Sequence, residues 1–367
     1  AAGRPIEFRI CETPLFLSAE LSARLIEAAH EVLTQVHTPE YRAASERAVP
    51  PGLAVPNEDA HTVFFQADFA LVRGEGGEIE PRLIELQGFP SLYGFQWLMA
   101  RAFREHFDIP EGWTPYFGGL DEHGYMRVLR EVIVGDCDPE NVVLLEIDPP
   151  RQKTWVDFAC TERLLGIPPV SLTDVVERGG KLFYRAAGRE VPIHRIYNRV
   201  IFDELEKKGL SREPLFTRPL DVTWVGHPNW FLKLSKFSLP FIRSRWAPEA
   251  HFVSDLRELP ADLENYVLKP LFSFAGHGVE IGPTAERLRS LEHPESFILQ
   301  RRVEYAGVVE TPDGPAKAEV RMMFLWKDRP RLVNNLVRMS KGLMIGVDFN
   351  KDKTWIGASV AFHPPGV

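Results

Sequence analysis

"PRLIELQGFPSLYGFQ", residues 81–96, begins as an apolar strand and sets Glu85 and Gln87 two positions apart. Successive strand side chains alternate faces, so this acid and this amide point the same way. They stand just before a turn built from Gly88, Pro90 and Ser91. Two readings fit the pattern. One is a solvated strand edge. The other is a site for a hard cation, because Mg²⁺ prefers oxygen ligands.

Working outward, "HTVFFQADFALV" (61–72) reads as a strand of mixed burial. The Gly- and Glu-rich "RGEGGEIEP" joins it to "RLIELQ" as an enlarged hairpin. Upstream, "SAELSARLIEAAHEVLTQV" (18–36) carries apolar residues at helical spacing, with Ser18 as N-cap. "RAASERAVPPGLAVPNEDA" (42–60) is polar and Pro-rich, a loop. Downstream, "SLYGFQWLMARAFREHF" (91–107) and "GYMRVLREVIVG" (124–135) read as helices. "NVVLLEID" (141–148) is a continuous apolar run, as in a strand buried on both faces. "QKTWVDFACTERLLG" (152–166) is a helix ending at Gly166, and "IPPVSLTDVV" (167–176) is again a strand. "KLFYRAAGREVPIHRIYNRV" (181–200) reads as a hairpin around Ala187-Gly188. Strand, helix, strand at this spacing predicts a βαβ unit and a parallel sheet.

From Asn229 the character changes. "NWFLKLSKFSLPFI" (229–242) is helix-like with cations inside it, and "NYVLKPLFSFAGHGVEIG" (265–282) is strand, loop, strand. "SFILQRRVEY" (296–305) is a strand, and "KAEVRMMFLWKDRPRLVNNLVRMS" (317–340) is two strands around a "KDRP" turn. The expected fold class is therefore α/β in the broad α+β sense.

Composition narrows the function. The chain has 367 residues, 44% hydrophobic and 26% charged, enough for two or three subdomains. Its net charge of −8, from 43 Lys+Arg against 51 Asp+Glu, argues against a nucleic-acid partner held by phosphate neutralisation. No apolar run approaches membrane-spanning length, so no membrane partner is expected. The opening "AAGRPIEF" has no leader-like apolar core, and Cys11, Cys137 and Cys160 lack metal or disulfide spacing. A cytoplasmic setting with reduced thiols is the expectation. Oligomeric state is not legible.

The sharpest chemical signal is "VLKPLFSFAGHGVEI" (267–281). A lysine, Lys269, ends an apolar strand ahead of a loop holding Gly276 and Gly278. Small residues let backbone N–H groups approach phosphate oxygens, and a strand lysine adds a compact positive charge. Neither GxxxxGK[ST] nor a strand–helix GxGxxG is present. A plain hairpin with a Gly turn fits the same stretch. Further on, Arg321 lies in "EVRMMFLW", and Asn335 and Arg338 in "LVNNLVRMS". Arginines inside apolar strands are costly unless paired or used to bind an anion.

Lys236 in "LKLSKFSLP", Lys269 in "VLKP", the Gly loop, "ILQRRVEY" and Arg338 in "LVRMS" follow an order that resembles the ATP-grasp superfamily. "FFQADFALV…PRLIELQGFPSLYGF" resembles the metal-binding strands of its circularly permuted members, such as glutathionylspermidine synthase. There an R-x-D-F strand precedes a strand carrying E-x-N. Here Gln66 stands for the Arg and Gln87 for the Asn. The middle of the chain, from "NVVLLEID" to "IHRIYNRV", is similar to the middle domain of that group, so the likeness covers about residues 60–360.

The resemblance implies a clamp of two β-rich lobes in permuted order, with a parallel-sheet pre-ATP-grasp subdomain. Residues 1–135 would supply N-terminal helices and metal strands, 136–225 the pre-ATP-grasp part, and 226–367 the nucleotide lobes. It implies ATP and Mg²⁺ as cofactors. Lys236 and Lys269 would contact the α/β phosphates, and the Ser273–Gly278 loop, with Gly276 and His277, would close over the β/γ phosphates. From the residues alone His277 reads first as a polar loop residue, with phosphate contact second. Gln300 and the backbone near Val303 would face adenine. Asp68, Glu85 and Gln87 would hold Mg²⁺, although Asp348-x-Asn350 imitates a linear member's metal pair. Arg338 would stabilise the transferred phosphoryl group.

The implied activity is an ATP-dependent carboxylate–amine ligase working through an acyl phosphate on small-molecule or peptide acids and amines. A phosphotransferase or a non-catalytic nucleotide-binding protein are the alternatives. Arg195, Arg199 and Ser91 are candidates for holding a substrate, the two arginines reading equally as surface charges on a hairpin. Arg321 is either an anion site or half of a buried ion pair with Glu319 or another acid. Trp97, Trp155 and Trp230 are taken as core.

Overall fold

The computed structural model describes residues 3–272, 278–345, 350 and 352–367. The chain opens with strand β1 (Leu15–Phe16) and helices α1 (Ala19–Gln35) and α2 (Pro39–Ser45). The Ser18 side chain accepts from the Leu21 amide, which fixes the start of α1 where the sequence puts it. The long strands β2 (Phe64–Arg73) and β3 (Ile79–Gln87) follow, then α3 (Tyr93–His106) and α4 (Glu122–Ile133). Next come β4 (Val142–Glu146), α5 (Trp155–Leu165), β5 (Pro169–Ser171), β6 (Val176–Arg178), β7 (Lys181–Ala186), β8 (Arg189–Ile193) and β9 (Arg195–Asn198). After α6 (Phe202–Lys207), β10 (Thr223–Val225) and α7 (Pro228–Lys233) come β11 (Ala250–Phe252), β12 (Tyr266–Pro270) and β13 (Glu280–Ile281). Helix α8 (Ala285–Arg289) precedes β14 (Phe297–Arg301), β15 (Gly307–Val309), β16 (Ala316–Trp326), β17 (Pro330–Ser340), β18 (Gly357–Ser359) and β19 (Ala361–Phe362).

The strands form a mixed α+β architecture. A large antiparallel sheet has the order β18-β17-β16-β2-β3, with β15 also on β16, so strands from both ends of the sequence interleave. A parallel sheet, β10-β9-β4-β5, holds the expected βαβ unit, with α5 crossing from β4 to β5. A smaller antiparallel sheet, β11-β14-β12-β13, carries the lysine strand. The strands β6, β7 and β8 make a separate three-stranded sheet.

Three local expectations change. "IHRIYNRV" is not the second arm of a hairpin. That hairpin is β7–β8, turning at Ala187 and Gly188, both at positive φ, as a two-residue turn that follows strand twist requires. The chain then enters the parallel sheet as β9, its second strand. "NWFLKLSKFSLPFI" is not one helix: α7 stops at Lys233, Ser235 caps a new 3₁₀ turn over Lys236–Phe241, and Pro240 inside that turn prevents an α-helical ladder. "IPPVSLTDVV" is a strand only over Pro169–Ser171, before a 3₁₀ turn at Leu172–Asp174.

The large sheet has two unlike faces. Phe65, Ala67, Phe69 and Leu71 of β2 lie in one core with Leu25, Ala28, Ala29 and Val32 of α1. On the opposite face Phe64 of β2 and Met323 and Leu325 of β16 pack with Tyr93, Tyr125 and Leu129 from α3 and α4. That apolar row ends at Gln66, and charged side chains take over. Strand β3 is the edge of this sheet but not a solvated one: Leu83 N–H bonds to Trp246 O at 2.7 Å and Gly88 N–H to Leu234 O at 2.8 Å. Among the described residues no helix is long and apolar enough to cross a membrane.

Gly88 answers a packing demand. A Cβ there would lie 2.4 Å from the Trp230 carbonyl oxygen and 2.9 Å from Leu234 Cβ, so α7 and the segment after it sit against the bare backbone. Gly88→Ala should therefore push α7 off β3 and destabilise the chain by about 1–3 kcal/mol. Denaturant midpoints check this; a midpoint equal to wild type would mean the contact yields freely.

Candidate functional site

The sheet register builds the site. Asp68 on β2 stands directly between Glu85 on β3 and Arg321 on β16, and Glu319 on β16 stands opposite Arg338 on β17. Gln66 is opposite Gln87 on the same face. Side chains two apart share a face, so one alternation pattern gathers residues from four strands. Arg321 grips Asp68 with two bonds, Nε to Oδ1 at 2.6 Å and Nη2 to Oδ2 at 2.7 Å. Arg338 Nη2 shares that Oδ2 at 2.6 Å and also bonds Glu319. Tyr305 Oη donates to the other Glu319 oxygen at 2.5 Å. Burial alone would raise the Asp68 pKa, but Arg321 and Arg338 outweigh it and hold the carboxyl below its ordinary value. Glu319 moves the other way: burial dominates, and the Asp68 charge adds to it against Arg338.

Two lysines approach from outside the sheet. The β2–β3 register shifts at Asp68/Phe69, leaving Ile84 as a bulge, and Lys269 Nζ on β12 donates to the freed Ile84 carbonyl at 3.1 Å. Lys269 is 9% exposed, and burial pushes its ammonium down to about 8, with Glu85 opposing and Lys236 reinforcing the shift. Lys236, at the start of the 3₁₀ turn, is 8% exposed. Its pKa is likewise lowered by burial, against the pull of Glu85 and of Asp203 on α6. Glu85 accepts from Gln87 Nε2 at 2.5 Å. The arginines thus absorb Asp68 and Glu319, while both lysines face Glu85.

Of the residues singled out in the sequence, Lys236, Lys269, Asp68, Glu85, Gln87, Arg321 and Arg338 come together here. Gln300 lies on β14, 2% exposed, on the Lys269 side of the small sheet, and its Nε2 has no hydrogen-bond partner among the described residues. Val303 follows β14 in the connection to β15. Gly278 has φ +71 beside Pro270, a conformation that favours glycine. Ser273, Gly276, His277 and Asp348 lie outside the described residues. Asn350 bonds Ser340 and the Lys341 and Gly342 amides, an arrangement internal to its own loop.

The substrate candidates go elsewhere. Arg195 donates to the Ile133 and Val132 carbonyls and so caps the C-terminus of α4. Arg199 is not a surface charge: it is 5% exposed, lies between the Phe89 and Phe158 rings, and bonds the Pro90 carbonyl. Asp157 on α5 holds the same loop by accepting from the Leu92 and Phe95 amides. Ser91 is half-buried in that loop. Trp155 and Trp230 are buried as expected, and Trp97 is half-buried.

A divalent cation does not fit these residues as arranged. Both Asp68 oxygens carry guanidinium bonds, and among the described residues no group of three or more His, Cys, Asp and Glu is placed to hold a metal. Removing Arg321 from Asp68 would leave a buried carboxylate with only the shared Arg338 bond, a cost of about 3–5 kcal/mol. The cations here are Lys236, Lys269 and the partly exposed Arg338, and Gln300 offers an orphaned amide on the Lys269 side of the small sheet. Sequence reasoning missed Asp203 and Tyr305. Nothing local marks Asp203, whereas the buried acid of "KAEVRMMF" did ask for a partner.

No known family profile matches the chain, and no curated protein matches it by sequence. Among solved structures it is similar to a glutathione synthetase-like effector, GSS30, from Globodera pallida, solved in its apo form. The likeness has a TM-score of 0.59 at 9% identity and covers 96% of this chain and 89% of that one. At that identity the likeness establishes a shared fold.

Two predictions follow from the charge layout. Arg321→Ala should cost about 3–5 kcal/mol, and adding Asp68→Ala should recover part of it, since the buried charge goes too. Equal losses for the single and double variants would deny the coupling. Lys269 releases its proton near pH 8 when folded but near its ordinary 10.5 when unfolded. Between those values the unfolded chain binds more protons, so stability rises with pH. Lys269→Met should lose that rise, roughly 3 kcal/mol in full, so its stability relative to wild type should shrink from pH 8 to 10. A pH-independent difference would mean that the ammonium is not under strain.

Proposed function

We propose that the residues around Lys236, Lys269 and Glu85, where β12 and the 3₁₀ turn meet the large sheet, bind the phosphates of ATP, and that the chain is an ATP-dependent carboxylate–amine ligase of the ATP-grasp type. One observation carries the reading: Lys236 and Lys269, on separate elements and both buried, converge on Glu85 with their ammonium groups destabilised by burial. Buried ammonium groups destabilised by desolvation mark a candidate anion site. The fold shared with the glutathione synthetase-like effector supports the reading at the level of architecture. The order of elements, β2 and β3 ahead and β12 to β14 behind, supports the permuted arrangement.

In this reading a substrate carboxylate oxygen attacks the γ-phosphorus, and the bond to the β–γ bridging oxygen breaks, releasing ADP. The acyl phosphate so formed has a good leaving group. A neutral amine attacks its carbonyl carbon, phosphate departs, and the amine proton passes to solvent or phosphate. The protein's work is positioning and charge neutralisation. Lys236 and Lys269 hold phosphate oxygens, Arg338 at the exposed rim of the arginine pair spreads the charge of the transferred group, and Gln300 turns its amide toward adenine. The acid and amine are small molecules or peptides. The divalent cation that the resemblance brings with it has no ready site on Asp68.

A second reading, nucleotide binding without turnover, is favoured by Gln66. It occupies the position of the resemblance's arginine, is fully buried, and spends its Nε2 on the Phe89 carbonyl at 2.7 Å.

Thermal unfolding with ADP or a non-hydrolysable ATP analogue tests the site. Ligand at about a hundred times its Kd should stabilise wild type by roughly 2.7 kcal/mol, and Lys269→Met should abolish the shift. Phosphate release that requires both an acid and an amine selects the ligase. A nucleotide shift without any release selects the second reading, and no shift in wild type removes both.

A further inference from the structure

We propose that nucleotide phosphates at this site are neutralised by the protein's own cations, with Asp68 serving as the counter-ion of Arg321, so that nucleotide binds without a divalent metal. The inference rests on the nucleotide reading of the same residues.

Mg²⁺ is usually held by one or two carboxylates together with substrate phosphates, and each bond needs a carboxylate lone pair turned toward the metal. Here both oxygens of Asp68 and of Glu319 already accept bonds from the protein's own donors. Asp68 Oδ1 accepts from Arg321, and its Oδ2 accepts from both Arg321 and Arg338. Glu319 accepts from Arg338 and Tyr305 on its two oxygens. Asp68 is 1% exposed, so a metal there would bring two positive charges into contact with two guanidiniums away from water. Glu85 remains, with one oxygen accepting from Gln87, and both lysines face it. Among the described residues, a carboxylate set beside two ammonium groups is a poor cation site.

The same residues can do the metal's electrostatic work. Lysine and arginine neutralise phosphoryl oxygens as Mg²⁺ does, and without a lone-pair requirement on the protein. Lys236 and Lys269 enter from the 3₁₀ turn and from β12, while the Arg338 side chain is 38% exposed above the 1% exposed Asp68. The acids of the large sheet therefore act one layer down, fixing the arginine that meets the ligand.

Isothermal titration of the full chain with ADP, once in EDTA and once in excess Mg²⁺, tests this. The expected result is binding in both, with affinity in EDTA lower by less than about fivefold. A larger loss in EDTA overturns the inference while leaving the nucleotide reading intact. Binding in neither buffer removes the nucleotide reading and the inference with it.

Discussion

The bidentate pair between Arg321 and Asp68 is the constraint on which the site depends. It joins two central strands of the large sheet whose residues lie far apart in sequence, and it does so where the sheet's face changes from apolar to charged. A buried carboxylate and a buried guanidinium each carry a heavy desolvation cost, and their mutual attraction offsets it only with good geometry. Here the geometry is set by strand register, because Asp68 and Arg321 are direct cross-strand partners. A one-residue slip of β2 against β16 would turn every one of these side chains to the α1 side and into an apolar core. The pair and the register therefore specify each other.

From that pair the rest of the electrostatics follows. Arg338 shares an Asp68 oxygen and is steadied on its other side by Glu319, which Tyr305 in turn holds. The sheet's acids are thereby largely committed to its arginines. The lysines arrive from outside the sheet, beside Glu85, and burial lowers their ammonium pKa values. The bulge at Ile84 matters for the same reason: it exposes a carbonyl for Lys269 that a regular β3 edge would not present.

Much of this was legible in the sequence, and the limits are physical. The same-face spacing of Glu85 and Gln87, the Ser18 cap, Gly166 as the stop of α5 and the βαβ unit all follow from local periodicity and capping, which depend on near neighbours. The grouping of Lys236, Lys269, Asp68, Glu85 and Arg338 was reached through resemblance in motif order, since no local signal ties position 68 to positions 236, 269 or 338. Arg321 was left open between an anion site and a buried pair; only the register identifies Asp68 as its partner. Arg195 and Arg199 were placed on a hairpin, as substrate contacts or surface charges, because "IHRIYNRV" continues an apparent strand, while the chain in fact leaves one sheet for another at His194. Helix-like spacing in "NWFLKLSKFSLPFI" concealed a break that Ser235 and Pro240 enforce.

We propose that the arginine–aspartate pair is structural and that the lysines are the ligand's contacts. A crystal structure of the chain grown with ADP tests it most directly. The account predicts phosphate oxygens within hydrogen-bond distance of Lys236 and Lys269 and an unbroken Arg321–Asp68 pair beneath them. Phosphates bound elsewhere, or Asp68 released from Arg321 to ligate a metal, would contradict it.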